Sequence, residues 1–204
     1  MSALGGQTFE DLLTSLAAKT PTPGGGAVAG ATGALGCALA GMVVSYSVGK
    51  KDLAPHRERL ESAGAELERW RAEFLRLGDA DAEAYGRLNA LQKLPPTPGD
   101  PARAAEMAAA VEGALGVPVR CLRLSVELVK RCLELAPISN RYLRSDLAIA
   151  GLLGEAAAKA ALWNVRVNLP LVEETARRGA LGGECEGLAA RASELCARLA
   201  TACA

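Results

Sequence analysis

The sequence predicts an all-α fold, and three observations carry that prediction. Half of its 204 residues are apolar but only 3% are aromatic. Ala-, Leu- and Gly-rich runs dominate, while stretches rich in strand-forming residues are few. Apolar residues also recur at spacings of three and four, as in Trp70, Phe74, Leu77, Tyr85 and Leu88. Small side chains let helix axes approach closely, so close helix packing is expected to build the core. The length fits one domain over 1–204, arranged as an orthogonal or up-down bundle of about six to nine helices.

The elements follow in order. Thr8 and Asp11 have the spacing of a capping box before a short helix running to about Ala18. "TPTPGGG" breaks the chain, and residues 27–48 form a small-residue helix ended by Gly49. Pro55 opens a long charged helix to about Ala90, and "KLPPTPGD" is the next break. Asp100-Pro101 caps a helical stretch to Leu135, in which Pro118 predicts a kink or a division into two helices. "APISNRYLRSD" reads as a loop, with Ser145 or Asp146 capping a helix to about Asn168. Pro170 interrupts; a short segment, a turn at "GALGG" and a helix from about Glu184 complete the chain.

Several function classes drop out. Lys plus Arg and Asp plus Glu both number 23, so no global field draws the chain to nucleic acid or an anionic membrane. The six cysteines form no CxxC pair and no secretory signal opens the chain, which predicts reduced thiols and a cytoplasmic protein. His56 is the only histidine, so no zinc site is expected and acid–base chemistry falls to carboxylates, lysines or tyrosines.

Thr20 to Gly49 carries no charged side chain. Its length would cross a bilayer, but its Gly, Ala, Ser and Thr content makes it a weak span, and a buried helix of a soluble protein is the preferred reading. Gly26, Gly30 and Ala34, and Gly33, Cys37 and Gly41, form low strips where another helix can sit, either within the chain or from a partner subunit. Gly24, Gly25 and Gly26 match neither a Walker A loop nor GxGxxG. They are either a tight turn or a loop at a helix start whose free N–H groups hold a ligand.

Asp81 lies on the apolar stripe of its helix, whereas Asp79 and Glu83 point elsewhere. A carboxylate there is either paired across helices or raised in pKa towards acid–base use. Asn164 and Asn168, four apart, could read a flat hydrogen-bonding ring or satisfy loop backbone before Pro170. Asp146 could be only a helix cap. Lys50, Lys51 and Lys93 stand at helix exits, where they either complement the dipole or hold an anionic tail.

Taken in order, "TPTPGGGAVAG", "GKK", "DADAEAY", "KLP", "SNRYLRSD" and "NVRVNL" resemble the cyclodeaminase/cyclohydrolase family of folate enzymes, from about Thr8 to Asn168. The resemblance implies a helical homodimer that binds folate, or its polyglutamylated forms, in a groove at or near the subunit interface. Asp81 matches the family's acid–base aspartate, and Gly24, Gly25 and Gly26 its glycine loop. Lys93 matches the lysine of its "KLP", Asn140, Ser145 and Asp146 its N-x4-SD pattern, and Asn164 and Asn168 its paired asparagines. Ala27 and Ser139 depart from the common Ser and Gly of that pattern.

The implied activity is hydrolysis of 5,10-methenyltetrahydrofolate, whose bridging carbon is already an electrophilic amidinium, so one carboxylate suffices with no cofactor beyond the folate. The alternative is cyclodeamination of 5-formiminotetrahydrofolate. A non-catalytic folate-binding protein is the third reading.

Overall fold

The first helix begins where the sequence supplies its own cap. The computed structural model of the chain describes residues 3–95 and 99–204. Thr8 Oγ1 accepts from Asp11 N–H at 3.1 Å and the Asp11 carboxylate accepts from Thr8 N–H at 3.1 Å, closing the expected box on α1 (Phe9–Ala17). Five longer helices follow: α2 (Gly25–Ser45), α3 (Arg57–Lys93), α4 (Pro101–Leu135), α5 (Arg144–Asn168) and α6 (Thr175–Cys203). Four 3-10 turns punctuate them, and no strand occurs among the described residues. The all-α prediction holds.

The boundaries carry corrections. Helix α2 starts at Gly25 with Gly24 as its N-cap, so the glycines are its first turn and not a loop ahead of it. It ends at Ser45, and the chain turns to Gly49, which has a φ of 85°. Pro55 lies in a 3-10 turn, Lys51–His56, before α3 starts at Arg57. The break over "KLPPTPGD" includes residues 96–98, which lie outside the described residues. Asp100 caps α4 as expected, accepting from Ala102 N–H at 2.9 Å.

Pro118 does not divide α4, which continues through it to Leu135. Neither Ser145 nor Asp146 caps α5. A 3-10 turn at Arg141–Leu143 leads straight into Arg144, leaving both in the first turn. The predicted turn at "GALGG" is also absent, because α6 runs through it. Glycine in a helix costs about 1 kcal/mol relative to alanine. Here Gly182 lets α6 close on Leu169, whose Cδ2 would lie 3.0 Å from an added Cβ, and Cys185, Ala192 and Leu199 are fully buried beyond it.

Helix α2 packs along α3 on one side and α5 on the other; α4 lies against α3 and α5, and α6 covers α4 and α5. Phe74, Leu60 and Leu67 from α3, Leu122 and Leu128 from α4, and Leu147 from α5 are fully buried at the centre. Each such side chain contributes roughly 1.5–3 kcal/mol by leaving water. The small-residue strip of α2 receives α3 of the same chain: a Cβ on Gly30 would lie 2.5 Å from Phe74 O, and Gly33 faces the Phe74 ring. Helix α2 is the one described helix long and apolar enough to cross a bilayer, and its buried residues instead line this core.

Candidate active site

The α2–α3 crossing that buries Phe74 continues two turns further and brings Gly26 onto Asp81. A side chain on Gly26 would fall inside the Asp81 carboxyl group, so only hydrogen at that position lets the carboxylate sit against α2. Beneath it lie Leu77, Val117, Pro118, Cys121 and Ala161, an apolar floor with almost no free volume. Burial on this floor raises the Asp81 pKa above the ordinary carboxylate value. The same surroundings push the Cys121 thiol up to about 12, through burial first and the Asp81 charge second.

Asp81 makes no ion pair and accepts no hydrogen bond from the described residues. Of the two readings the sequence left open, the interhelical pair is therefore not formed, and a desolvated carboxylate remains available. It faces a cavity of about 270 Å³. The first turn of α2, with Gly24, Gly25 and Gly26, forms one wall, and the last two turns of α5, with Asn164 and Asn168, form another.

The two asparagines differ. Asn164 packs on Gly25, where its Oδ1 would lie 3.0 Å from an added Cβ, and its Nδ2 is buried without a hydrogen-bond partner among the described residues. Buried amides are ordinarily satisfied, so this one is a donor awaiting an acceptor. Asn168 instead donates from Nδ2 to Ala114 O of α4 at 2.9 Å.

Tyr85 also borders the cavity, one helical turn beyond Asp81 and 45% exposed. Sequence reasoning placed it on the apolar stripe and missed it as a site residue, although its four-residue spacing from Asp81 was the available signal.

The other predicted site residues lie elsewhere. Lys93 is exposed at the end of α3, about 18 Å from Asp81 along the helix axis. Lys50, Lys51, Asn140, Ser145 and Asp146 collect at the opposite end of α2, about 30 Å from Gly25. There Asn140 N–H donates to the buried Ser47 Oγ at 2.8 Å, the Asn140 side chain accepts from Tyr142 N–H at 3.2 Å, and Lys50 Nζ stands 5.7 Å from the Tyr142 ring centre. Ser145 is exposed and Asp146 half-buried in the first turn of α5. Of the two departures noted in sequence, Ala27 is buried against Gly78 of α3, and Ser139 holds a buried hydroxyl without a partner among the described residues.

Within one chain the arrangement supplies a desolvated carboxylate, an unpartnered amide donor and free backbone groups at a helix start, which suits proton transfer on a small polar ring. Comparison with known proteins gives the same direction. The chain is 32% identical over 197 residues to the methenyltetrahydrofolate cyclohydrolase of Methylorubrum extorquens, covering 96% of this chain and 95% of that protein. It is also 32% identical over 160 residues to the formimidoyltransferase-cyclodeaminase of Sus scrofa, covering 78% of this chain but only 30% of that longer protein. The crystal structure of formiminotetrahydrofolate cyclodeaminase from Thermotoga maritima superposes with a TM-score of 0.88 at 26% identity, covering 98% of this chain and 96% of that one. The formiminotransferase-cyclodeaminase family model matches residues 8–187, and the chain belongs to that family.

Proposed function

We propose that this chain hydrolyses 5,10-methenyltetrahydrofolate to 10-formyltetrahydrofolate, with Asp81 as the proton carrier and no cofactor beyond the folate itself. One observation carries the reading: a half-buried carboxylate with no counter-charge or hydrogen bond among the described residues, facing a cavity whose wall holds an amide donor that also lacks a partner among them. Similarity to the Methylorubrum extorquens cyclohydrolase over nearly the whole of both chains supports it.

The chemistry suits a carboxylate of raised pKa. Asp81 takes a proton from water as its oxygen bonds to the bridging carbon, giving a neutral tetrahedral intermediate. Protonated Asp81 then delivers that proton to N5 while the C–N5 bond breaks. The hydroxyl proton leaves as the formyl C=O forms, so one proton is released per turnover. A pKa above the ordinary carboxylate value makes Asp81 a better base in the first step and keeps it acidic enough for the second. Gly24–Gly26 and the two asparagines would hold the ring, with Tyr85 at the rim.

The folate is bound by a soluble cytoplasmic homodimer. Helices α2 and α5 pack side by side, and each leaves apolar residues exposed: Val28 and Leu35 on α2, and Ile149, Leu152, Trp163 and Val167 on α5, with Trp163 64% and Val167 72% accessible. A two-fold axis across this face buries both stripes. It also turns the partner's Lys50, Lys51, Asn140, Ser145 and Asp146 towards the Asp81 end, which reunites residues about 30 Å apart in one chain. A cavity of about 270 Å³ is small for a whole folate, so a second subunit that completes the groove fits the substrate's size. The lysines would then meet a glutamate or polyglutamate tail.

A second reading, release of ammonia from 5-formiminotetrahydrofolate, is favoured by the likeness to the Thermotoga maritima cyclodeaminase. It passes through a similar tetrahedral carbon and uses the same carboxylate. Loss of methenyltetrahydrofolate absorbance in a buffer that does not catalyse hydrolysis separates the two. Acceleration by the chain that disappears in Asp81→Asn supports the cyclohydrolase. No acceleration, with ammonia released from 5-formiminotetrahydrofolate, supports the cyclodeaminase.

A further inference from the structure

We infer that Pro118 is a positioning residue of this site: it frees the Ala114 carbonyl to fix the Asn168 amide, so that Asn168 offers its oxygen, and not its nitrogen, to the ligand. The inference rests on the folate reading only for the identity of that ligand.

Pro118 is buried in the interior of α4, where proline is the least favourable helix residue. Its missing N–H leaves the carbonyl four residues earlier, Ala114 O, without a helical donor, and its ring crowds that carbonyl away from the axis. A buried carbonyl needs a partner. The partner here comes from another helix: Asn168 Nδ2 of α5 donates to Ala114 O at 2.9 Å. This is why α4 passes through Pro118 unbroken, and why the proline has a use.

Only the NH₂ of an amide can donate to a carbonyl, so this bond sets the rotation of the Asn168 side chain. Ala114 and Asn168 both border the Asp81 cavity. With its nitrogen held by α4, Asn168 has Oδ1 left as an acceptor, while Asn164 contributes Nδ2, unpartnered among the described residues, as a donor. The pair therefore selects a ligand edge with an N–H beside an acceptor, the pattern of the amide-like edge of a reduced pteridine. Pro118 also forms part of the apolar floor under Asp81, so one residue touches both halves of the site.

Two measurements on wild type, Pro118→Ala, Asn168→Ala and the double variant test this. The first needs no substrate. With Pro118 present, N168A orphans the Ala114 carbonyl and lowers the melting temperature. In the P118A background, where position 118 regains a helical N–H, the same change lowers it by less than half as much. Equal losses in the two backgrounds would overturn the inference.

The second is steady-state kinetics with methenyltetrahydrofolate. P118A is expected to raise KM about fivefold with kcat within about twofold of wild type, the loss of one oriented hydrogen bond. The double variant should be no worse than N168A alone. A wild-type KM for P118A beside a raised KM for N168A would overturn the positioning role. A wild-type KM for N168A would overturn it as well, and would place the failure in the contact assigned to Asn168. If P118A does not fold, Asn168→Asp carries the test: it keeps an acceptor but cannot donate to Ala114 O, so its KM should rise as in N168A, and an unchanged KM counts against the inference.

Discussion

The two ends of α2 hold similar residue types in opposite states. At the C-terminal end, the buried Ser47 hydroxyl donates to Val43 O at 2.6 Å and accepts from Asn140 N–H, and the Asn140 side chain caps the turn after it. Only the Ser139 hydroxyl there is buried without a partner among the described residues. At the N-terminal end, a half-buried, desolvated carboxylate and a buried amide nitrogen both lack protein partners among those residues. Polar groups satisfied within the chain explain its shape, whereas polar groups left unsatisfied in a cavity point to what binds there. The first end is largely satisfied within its own chain, and the second is left open towards its cavity.

The sharpest way to break this contrast is to remove the charge. Asp81→Asn should lower kcat by at least about 100-fold while folate binding remains measurable, as expected for loss of a general base. Its effect on stability should be the reverse. Because burial raises the folded-state pKa, the folded chain holds more protons than the unfolded chain between the ordinary carboxylate value and the raised one, and stability falls as pH rises through that window. D81N removes the penalty, so it should melt higher than wild type at neutral pH, with the gap closing in acid. Activity of the wild type should fall on an acid limb whose midpoint lies above the ordinary aspartate value. A D81N variant that melts lower than wild type at neutral pH would show that the carboxylate is structurally paired after all.

Gly26→Ala attacks the same end through packing. The added methyl occupies the Asp81 carboxylate position, so α2 and α3 must separate or the carboxylate must turn away. A loss of about 1–3 kcal/mol in urea unfolding, with at least a tenfold drop in kcat/KM, is the expected range for overpacking a close contact. Gly41→Ala on the same helix is the control: nothing lies within 4 Å of its added Cβ, so it should be neutral or slightly stabilising. Equal effects at the two positions would remove the special status given to the Gly26–Asp81 contact.

These two residues also mark how far the sequence alone could be read. Asp81 was legible because helical spacing put a carboxylate among Phe74, Leu77 and Leu88, and a helix face is a property of one segment. That Gly26 would be its seat was not, since the match depends on where α2 crosses α3. The helix inventory was legible from capping residues and periodicity, but the turn expected at "GALGG" and, of the two outcomes expected at Pro118, the division into two helices did not form, for one reason: local propensity predicted breaks, and contacts from α5 and the turn after it overrode them. Gly182 admits Leu169, and Ala114 O finds Asn168. The position of Lys50, Asn140 and Asp146, about 30 Å from Asp81, was equally out of reach, because a motif order along the chain does not say which residues share a site.

Whether those distant residues join the site depends on the apolar face between the two ends. Leu152→Glu, at an exposed position on α5, places two charges at the proposed two-fold contact and should weaken dimerisation by at least about 100-fold, read by sedimentation across a concentration series. Activity should fall with the dimer fraction. A dimer of unchanged affinity would put the contact elsewhere, and a fully active monomer would leave the Asp81 end sufficient by itself.

The smallest effect tests the far end directly. Asn140→Ala deletes the acceptor for Tyr142 N–H but keeps the backbone bond from residue 140 to Ser47 Oγ, so it should cost about 1 kcal/mol of stability, a cap's worth. If the far end only shapes its own chain, kcat/KM stays at the wild-type value once the protein is folded. If the two-fold carries it to the partner's cavity, kcat/KM falls by about fivefold in addition, the value of one hydrogen bond to the ligand. The second outcome is expected, and it has a signature that local distortion lacks. In an L152E background, where the ends no longer meet, N140A should still cost its 1 kcal/mol or so of stability but take nothing further from the residual activity. Additive losses in kcat/KM would instead mean that Asn140 acts through its own chain, and the two ends of α2 would then be separate in function as well as in space.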